Sequence, residues 1–255
     1  MGAPKIKETR EDVLTTKSEK AGAHGFFESL LRRFRGLSFA LLLTPLTVVC
    51  VSCIGVSMAP GLWLFSRVNA ATAEWAEPLH FLALGLALAT GYLMYGFTLM
   101  VVVPLVNFLM PFRVKPFRGP YYSLPAIPWY IHNALTYMVR FTFLEFVTPT
   151  PLNVLFYRMM GMKIGKGVVI NTTAISDPCM IELGDYVTIG GSATIFGHYG
   201  QKGYLVIAPV KIEKGANIGL KASVMGGCEV GENTNIKPHA ALLPKTKVPA
   251  NENFG

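Results

Sequence analysis

Residues 210–248, VKIEKGANIGLKASVMGGCEVGENTNIKPHAALLPKTKV, decide the fold because an aliphatic residue returns at every sixth position. A period of six fits neither the 3.6-residue turn of an α-helix nor the two-residue alternation of a single strand. It predicts a prism of short parallel strands, with three hexads in each coil and the aliphatic side chains inside. The aliphatic positions are Ile212, Ile218, Val224, Val230, Ile236, Leu242 and Val248.

The same register extends upstream through Leu183, Ile189 and Ile195, and it is broken once, between Ile195 and Val206. A stacked coil accommodates extra residues by ejecting them, so this break predicts a loop that leaves the prism at His198. A smaller slip of one residue near 176–179 predicts a bulge or a corner insertion.

The hexads resemble a known family. Ile164 to Gly255 is similar to the left-handed parallel β-helix of hexapeptide-repeat acyltransferases, whose hexads read aliphatic, Gly, two variable residues, small, variable. The segment from Phe156 to Gly165 also resembles the lead-in of membrane-associated members, including the C-terminal modules of polylysine-synthase-type peptide synthetases. The predicted fold class is therefore mixed: N-terminal transmembrane α-helices followed by a C-terminal left-handed parallel β-helix. The left-handed winding is implied by the resemblance, since the general rule for parallel crossovers predicts the other hand.

The composition predicts a membrane protein. A mean hydropathy of +0.41 with 51% hydrophobic residues is too apolar for a wholly soluble chain. The net charge is +8, and the basic residues flank apolar runs. Since no nucleic-acid motif is present, these residues are predicted to contact an anionic membrane surface. The four cysteines do not have the spacing of a zinc site, and no metal is expected.

Composition divides the chain into four predicted segments. A polar stretch without large apolar residues indicates a flexible tail, and two long uncharged runs predict membrane crossings. The segments are a tail at 1–25, a basic amphipathic helix with two transmembrane helices at 26–110, an interfacial helical linker at 111–162, and the β-helix at 163–255.

The two predicted spans are Leu37–Met58, ended by Pro60 and Gly61, and Leu79–Met110. Basic residues flank their outer ends, whereas the connecting loop is acidic. The positive-inside rule then predicts a multi-pass protein of the inner (cytoplasmic) membrane, with both termini and the β-helix on the cytoplasmic side.

His198 is the predicted catalytic residue. Histidine removes a proton from a hydroxyl or an amine near neutral pH, as direct attack on a thioester requires, and the family resemblance implies a histidine base at this position. The alternative is a corner histidine bonded to a backbone carbonyl. His239 in an outward slot and His132 in the linker are weaker candidates. The related γ-class carbonic anhydrases use three zinc-binding histidines, a cluster that this sequence lacks.

The resemblance also implies a homotrimer with acetyl-CoA or another acyl thioester in the groove between subunits. Peptide N–H groups near Gly197 or from the adjacent chain would hold the oxyanion. Three loop residues are predicted to contact the acceptor: Tyr199, Lys202 and Tyr204. Four residues are predicted to bind the thioester: Gly219 and Ala222 through their backbone, and Lys237 and Lys245 through the phosphates.

The sequence therefore predicts a membrane-anchored acyltransferase acting on a hydroxyl or amine of an envelope-linked or lipid-linked acceptor. Two alternatives remain open. One is a non-catalytic trimeric scaffold at the membrane, and the other is aminoacyl transfer or peptide-bond formation in a peptide-synthetase system.

Overall fold

The structure is a computed structural model that describes residues 17–18 and 21–255. Most of the predicted tail lies outside these residues. Within the described residues, three helices come first: α1 (Gly22–Arg33), α2 (Arg35–Ala71) and α3 (Glu77–Leu109). Helix α1 is amphipathic and exposes Phe26 and Phe27, as its sequence predicts.

Helices α2 and α3 form an antiparallel hairpin, and both are long and apolar enough to cross a membrane. The second agrees with the predicted span. The first does not end at Pro60 and Gly61, because α2 continues to Ala71 with Pro60 inside it. The apolar character continues to Phe65, so a proline within this run did not mark the end of the helix.

The linker contains a short strand, β1 (Phe117–Pro120), followed by α4 (Ile127–Val139), a π-helical turn at Arg140–Leu144 and α5 (Pro151–Met159). The linker predicted at 111–162 is therefore helical in large part. The α4 side chains Leu135 and Val139 are fully buried, so this helix is a packed layer between the hairpin and the C-terminal domain.

The C-terminal domain is a parallel β-helix made of three sheets, as the period of six predicts. The chain visits the sheets in rotation, so each hydrogen-bonded neighbour lies one coil away. The first sheet holds β2 (Lys163–Ile164), β5 (Ile181–Leu183), β10 (Val210–Ile212), β13 (Glu229–Val230) and β16 (Lys247–Val248). The second holds β3 (Val169–Ile170), β6 (Thr188–Ile189), β11 (Asn217–Ile218), β14 (Asn235–Ile236) and β17 (Asn253–Phe254). The third holds β4 (Ile175–Ser176), β7 (Thr194–Phe196), β12 (Ser223–Val224) and β15 (Ala241–Leu242).

The aliphatic hexad residues fill the interior of this prism. Ile189, Ile218 and Val230 are completely buried, and the small residues Ala193 and Ala216 are buried at the corners. Burial of the aliphatic side chains is the main stabilising contribution, and coil-to-coil pairing satisfies the backbone polar groups.

The segment ejected from the prism is an ordered hairpin. It consists of β8 (His198–Gln201) and β9 (Tyr204–Ile207), and β1 pairs antiparallel with β9 to make a three-stranded sheet. Val206 therefore lies in the hairpin, and the prism resumes at β10 rather than at Val206 as predicted. Val206 happens to keep the spacing of six, which is why the sequence placed it in a hexad.

One continuous hydrophobic core joins the helical hairpin to the β-helix. It runs from Leu99 and Val103 on α3, through Leu135 on α4 and Phe156 on α5, to Ile170 in the first coil. The linker helices therefore lie between the β-helix and the two long apolar helices, and close-packed side chains join all three parts.

Candidate active site

The candidate site lies on one edge of the prism. The chain turns from the third sheet to the first at four successive corners, which contain Asp177, His198, Gly226 and Lys245. Neighbouring coils are separated by about 4.8 Å, the spacing of paired strands. Residues far apart in sequence are thus stacked in one column along this edge.

Asp177 and His198 form a hydrogen-bonded pair across two adjacent corners. His198 Nδ1 lies 2.5 Å from Asp177 Oδ2, and the Asp177 side chain is completely buried. Opposite an ionised carboxylate, which can only accept, a neutral imidazole donates from Nδ1 and keeps its lone pair on Nε2. This tautomer suits a general base.

The register slip predicted at 176–179 creates the position of Asp177. The residue adopts the left-handed conformation, with φ of 58°, and a short 3₁₀ turn follows at Pro178–Met180. Aspartate tolerates this conformation better than most residues. The slip therefore aims a carboxylate at the next corner, where the hairpin begins.

Helix α4 supplies a second contact to the buried carboxylate. Asn133 Nδ2 lies 2.6 Å from Asp177 Oδ1 and also donates to the Trp129 carbonyl at 3.0 Å. With His198, Asp177 thus receives two hydrogen bonds that fix its orientation and compensate for its burial. The indole of Trp129 lies edge-on to the His198 ring, with 4.9 Å between ring centres.

A cavity of about 300 Å³ opens beside His198, a volume at the lower end of the range for ligand pockets. Its walls come from α2 and α4 as well as from the histidine. The lining residues are Leu43, Leu46, Trp129, Tyr130, Asn133, Ala134, Tyr137 and His198. Burial raises the pKa of Tyr130 to about 12, as expected for a phenol beside an apolar space.

Gly226 lies one coil beyond His198 on the same edge. A Cβ at this position would lie 3.1 Å from the His198 nitrogen and 3.2 Å from its Cα, so the two backbones are in close contact. Within 17–18 and 21–255, the Gly226 N–H makes no hydrogen bond. An unpaired peptide donor beside a histidine base has the chemistry of an oxyanion site.

The three predicted acceptor residues all lie in the hairpin. Tyr199 is buried, and its neighbouring position on β8 turns it away from the face that His198 occupies. Lys202 is at the exposed hairpin turn. Tyr204 is near the same turn, with the Arg118 guanidinium 5.2 Å from its ring centre. None of the three lines the cavity beside His198.

The four predicted thioester residues lie on two edges. Exposed Lys245 is in the His198 column, where its N–H donates to the Gly226 carbonyl. Gly219, Ala222 and the exposed Lys237 are on the edge between the second and third sheets. Ala222 donates to the Gly219 carbonyl, so part of the backbone that they offer is used in the coil itself.

The two weaker histidine candidates, His132 and His239, lie outside the cavity beside His198. His132 is buried, and its Nδ1 lies 3.0 Å from Asn107 Oδ1 on α3. Burial lowers the pKa of His132 to about 4, so this ring is neutral at pH 7. His239 is exposed on the edge that holds Gly219.

The sequence did not single out Asp177, Asn133 or Trp129. The slip at 176–179 was a signal for Asp177, because an irregularity in a regular stack places a side chain in a special position. Asn133 and Trp129 are four residues apart on one face of α4, but the sequence did not show that this helix lies against the prism edge.

Comparison with known proteins gave no matching family model. Among curated proteins, the chain is 23% identical over 172 residues to the delta-poly-L-ornithine synthetase of Acinetobacter baumannii. The match spans 66% of this chain and 12% of that much longer protein. The aligned stretch is longer than the β-helix alone, so it includes part of the helical region.

The similar solved structures include serine acetyltransferases. The enzyme of Neisseria gonorrhoeae, solved with serine, is 16% identical, with coverage of 82% of this chain and 93% of that chain and a TM-score of 0.30. The enzyme of Brucella abortus strain S19 is 13% identical, with coverage of 79% and 68% and a TM-score of 0.32.

Proposed function

We propose that this protein is a membrane-anchored acyltransferase in which His198 is the general base. The observation that supports this most strongly is the buried Asp177–His198 pair at the wall of a cavity. A buried carboxylate bonded to one ring nitrogen fixes the tautomer and stabilises the imidazolium that forms during proton transfer. A corner histidine with a purely structural role would not need a buried carboxylate as its hydrogen-bond partner.

The reaction follows from this geometry. His198 Nε2 removes the proton from an acceptor hydroxyl or amine, whose oxygen or nitrogen attacks the thioester carbonyl carbon. The resulting oxyanion is held by a peptide N–H near His198, and we assign this role to Gly226 because its backbone contacts that of His198 and its N–H makes no hydrogen bond among the described residues. The C–S bond then breaks, and the departing thiolate takes the proton from Nε2, which regenerates the neutral ring.

The donor is acetyl-CoA or another acyl thioester. Lys245 lies on the edge of the prism that holds His198, two coils further along, and its ammonium group would attract the phosphates of such a donor. We also propose that the chain forms a homotrimer in which the donor lies between subunits, so that Lys237 and Gly219 act from a neighbouring chain.

Membrane anchoring is supported by the lengths and apolar surfaces of α2 and α3. Their basic outer flanks favour the inner membrane, with the β-helix on the cytoplasmic side. This arrangement favours an acceptor that is itself linked to a lipid or to the envelope.

The test compares His198→Ala with wild type in purified full-length protein in nanodiscs. His239→Ala is the matched control, because it removes an exposed corner histidine from another edge. Release of the CoA thiol from acetyl-CoA, in the presence of an amine or alcohol, is followed by mass spectrometry. We expect loss of transfer with His198→Ala alone. Equal transfer by all three proteins would overturn His198 as the base, and no transfer by any of them would support a non-catalytic scaffold.

A second candidate function is peptide-bond formation from an aminoacyl thioester. It is favoured by the match to delta-poly-L-ornithine synthetase, which extends beyond the β-helix. The same base would then deprotonate an amine. The two candidates are separated by offering acetyl-CoA and a carrier-bound ornithine thioester in competition, with ornithine as the acceptor.

A further inference from the structure

The cavity beside His198 has an unusual combination of walls. One wall is the histidine ring of the β-helix, another is α4, and the third is Leu43 and Leu46 of α2. Helix α2 is one of the two helices that are long and apolar enough to cross a membrane. The cavity beside His198 is therefore bounded on one side by a helix whose other apolar side chains would face the bilayer.

The two leucines that line the cavity differ in their exposure. Leu46 is 9% exposed, whereas Leu43 is 41% exposed, so the leucine lining runs from buried to exposed positions. Further along the same helix, Val48 and Val51 are each about 60% exposed to the surroundings. The apolar lining of the cavity is thus continuous with apolar surface that would contact lipid chains.

The wall contributed by α4 is mostly aromatic, with Asn133 and Ala134 as its other residues. Trp129, Tyr130 and Tyr137 line the space, and the hydroxyl of Tyr137 is already engaged with Ser176 Oγ at 2.5 Å. Aromatic residues with one apolar and one polar end are typical of the membrane interface. No Lys, Arg, Asp or Glu side chain lines this cavity among the residues that the structure describes.

We infer that the acceptor is an alkyl-chain amphiphile, whose chain enters from the bilayer between α2 and α4 and whose terminal hydroxyl or amine meets His198. This inference rests on the proposed function, because it uses His198 as the base. It specifies the acceptor as a lipid and assigns Leu43, Leu46 and the three aromatic residues as its binding surface. A small water-borne acceptor would leave these walls unfilled and would gain nothing from them.

The experiment measures kcat/KM for two acceptors with the same head group, decylamine and ethylamine, with acetyl-CoA as donor. The full-length protein is used in phosphatidylcholine nanodiscs. We expect wild type to prefer decylamine. Leu46→Trp, which fills the cavity, is expected to reduce the ratio of the two kcat/KM values by about tenfold, since added bulk in an apolar pocket costs that much.

Leu41→Trp is the matched control, since Leu41 lies on the same helix, is 67% exposed and is outside the cavity. It is expected to leave the ratio unchanged. A second measurement requires no substitution: a decylamine analogue carrying a photoreactive diazirine at its chain end should crosslink to α2 or α4 near the cavity.

The outcomes separate the two ideas. His198-dependent transfer without a preference for decylamine, or with crosslinks confined to the outer lipid-facing surface, would overturn the lipid site and leave the acyltransferase proposal standing. Absence of any His198-dependent transfer from any thioester would remove the acyltransferase proposal itself.

Discussion

Replacement of Asp177 by asparagine isolates the role of the buried carboxylate in the proposed reaction. Asparagine has the same shape but offers one acceptor and one donor group. Asn133 Nδ2 can only donate, so the new amide oxygen is expected to stay opposite it. The new amide NH₂ then faces His198 Nδ1 and forces the ring proton onto Nε2, where the wild-type ring has its lone pair.

The size of the effect follows from the hydrogen bond that is lost. A bond to a charged group contributes about 1.5–3 kcal/mol, which corresponds to a loss in rate of roughly tenfold to a hundredfold. The wrong tautomer adds to this, and the corresponding change in a Ser-His-Asp triad costs about 10⁴-fold. We therefore expect kcat to fall by between about tenfold and 10⁴-fold, with little change in KM.

The assay is thioester-dependent transfer in nanodiscs, with folding checked by the thermal unfolding midpoint. Asp185→Asn is the matched control, because Asp185 is at a different edge, where its carboxylate accepts from the Lys166 N–H at 2.7 Å. A folded Asp177→Asn protein with wild-type kcat would refute the assignment of His198 as a base oriented by Asp177.

Gly226→Ala places a Cβ 3.1 Å from the backbone nitrogen of His198, and we expect a roughly tenfold lower kcat in steady-state assays, since sub-ångström misplacement of the proposed base is costly. Burial lowers the pKa of His132 to about 4, below its unfolded value of 6.5, so the fold favours the neutral ring. The stability that depends on this neutral ring is fully present above pH 6.5. This contribution of about 3 kcal/mol is lost as the pH falls toward 4, and urea unfolding should show a weaker pH dependence in His132→Gln. Gly96→Ala would place a Cβ 2.0 Å from the Phe143 ring, so we expect a destabilisation of about 1–3 kcal/mol by thermal unfolding. Gly85→Ala, with open space around it, should be neutral by the same measurement.

The sequence predicted the β-helix correctly because its signal is local and repeated. Each coil needs an aliphatic side chain at the same place, and a burial pattern with a fixed period can be read without knowing what the chain contacts. The prediction of apolar helices succeeded for the same reason, although Pro60 was wrongly taken as a helix end.

The site was only partly predictable. His198 is the candidate that the sequence indicates, because it stands where the register breaks. Its partners were not found, because Asp177 is 21 residues away and Asn133 is 44 residues from Asp177, and only the stacked coils and the docked helix bring them together. The sequence predicts a loop where the structure has the hairpin β8–β9. The hairpin is completed to a three-stranded sheet by β1 of the linker, and no periodicity in the sequence marks that strand.

The continuous core between α3, the linker helices and the first coil has a further consequence. The domain that bears the imidazole is joined to the helical hairpin by packed side chains rather than by a tether. Under the proposed function, the reactive nitrogen stays at a constant height relative to the hairpin. Only acceptor groups that project from the bilayer to that height would then reach the reactive nitrogen.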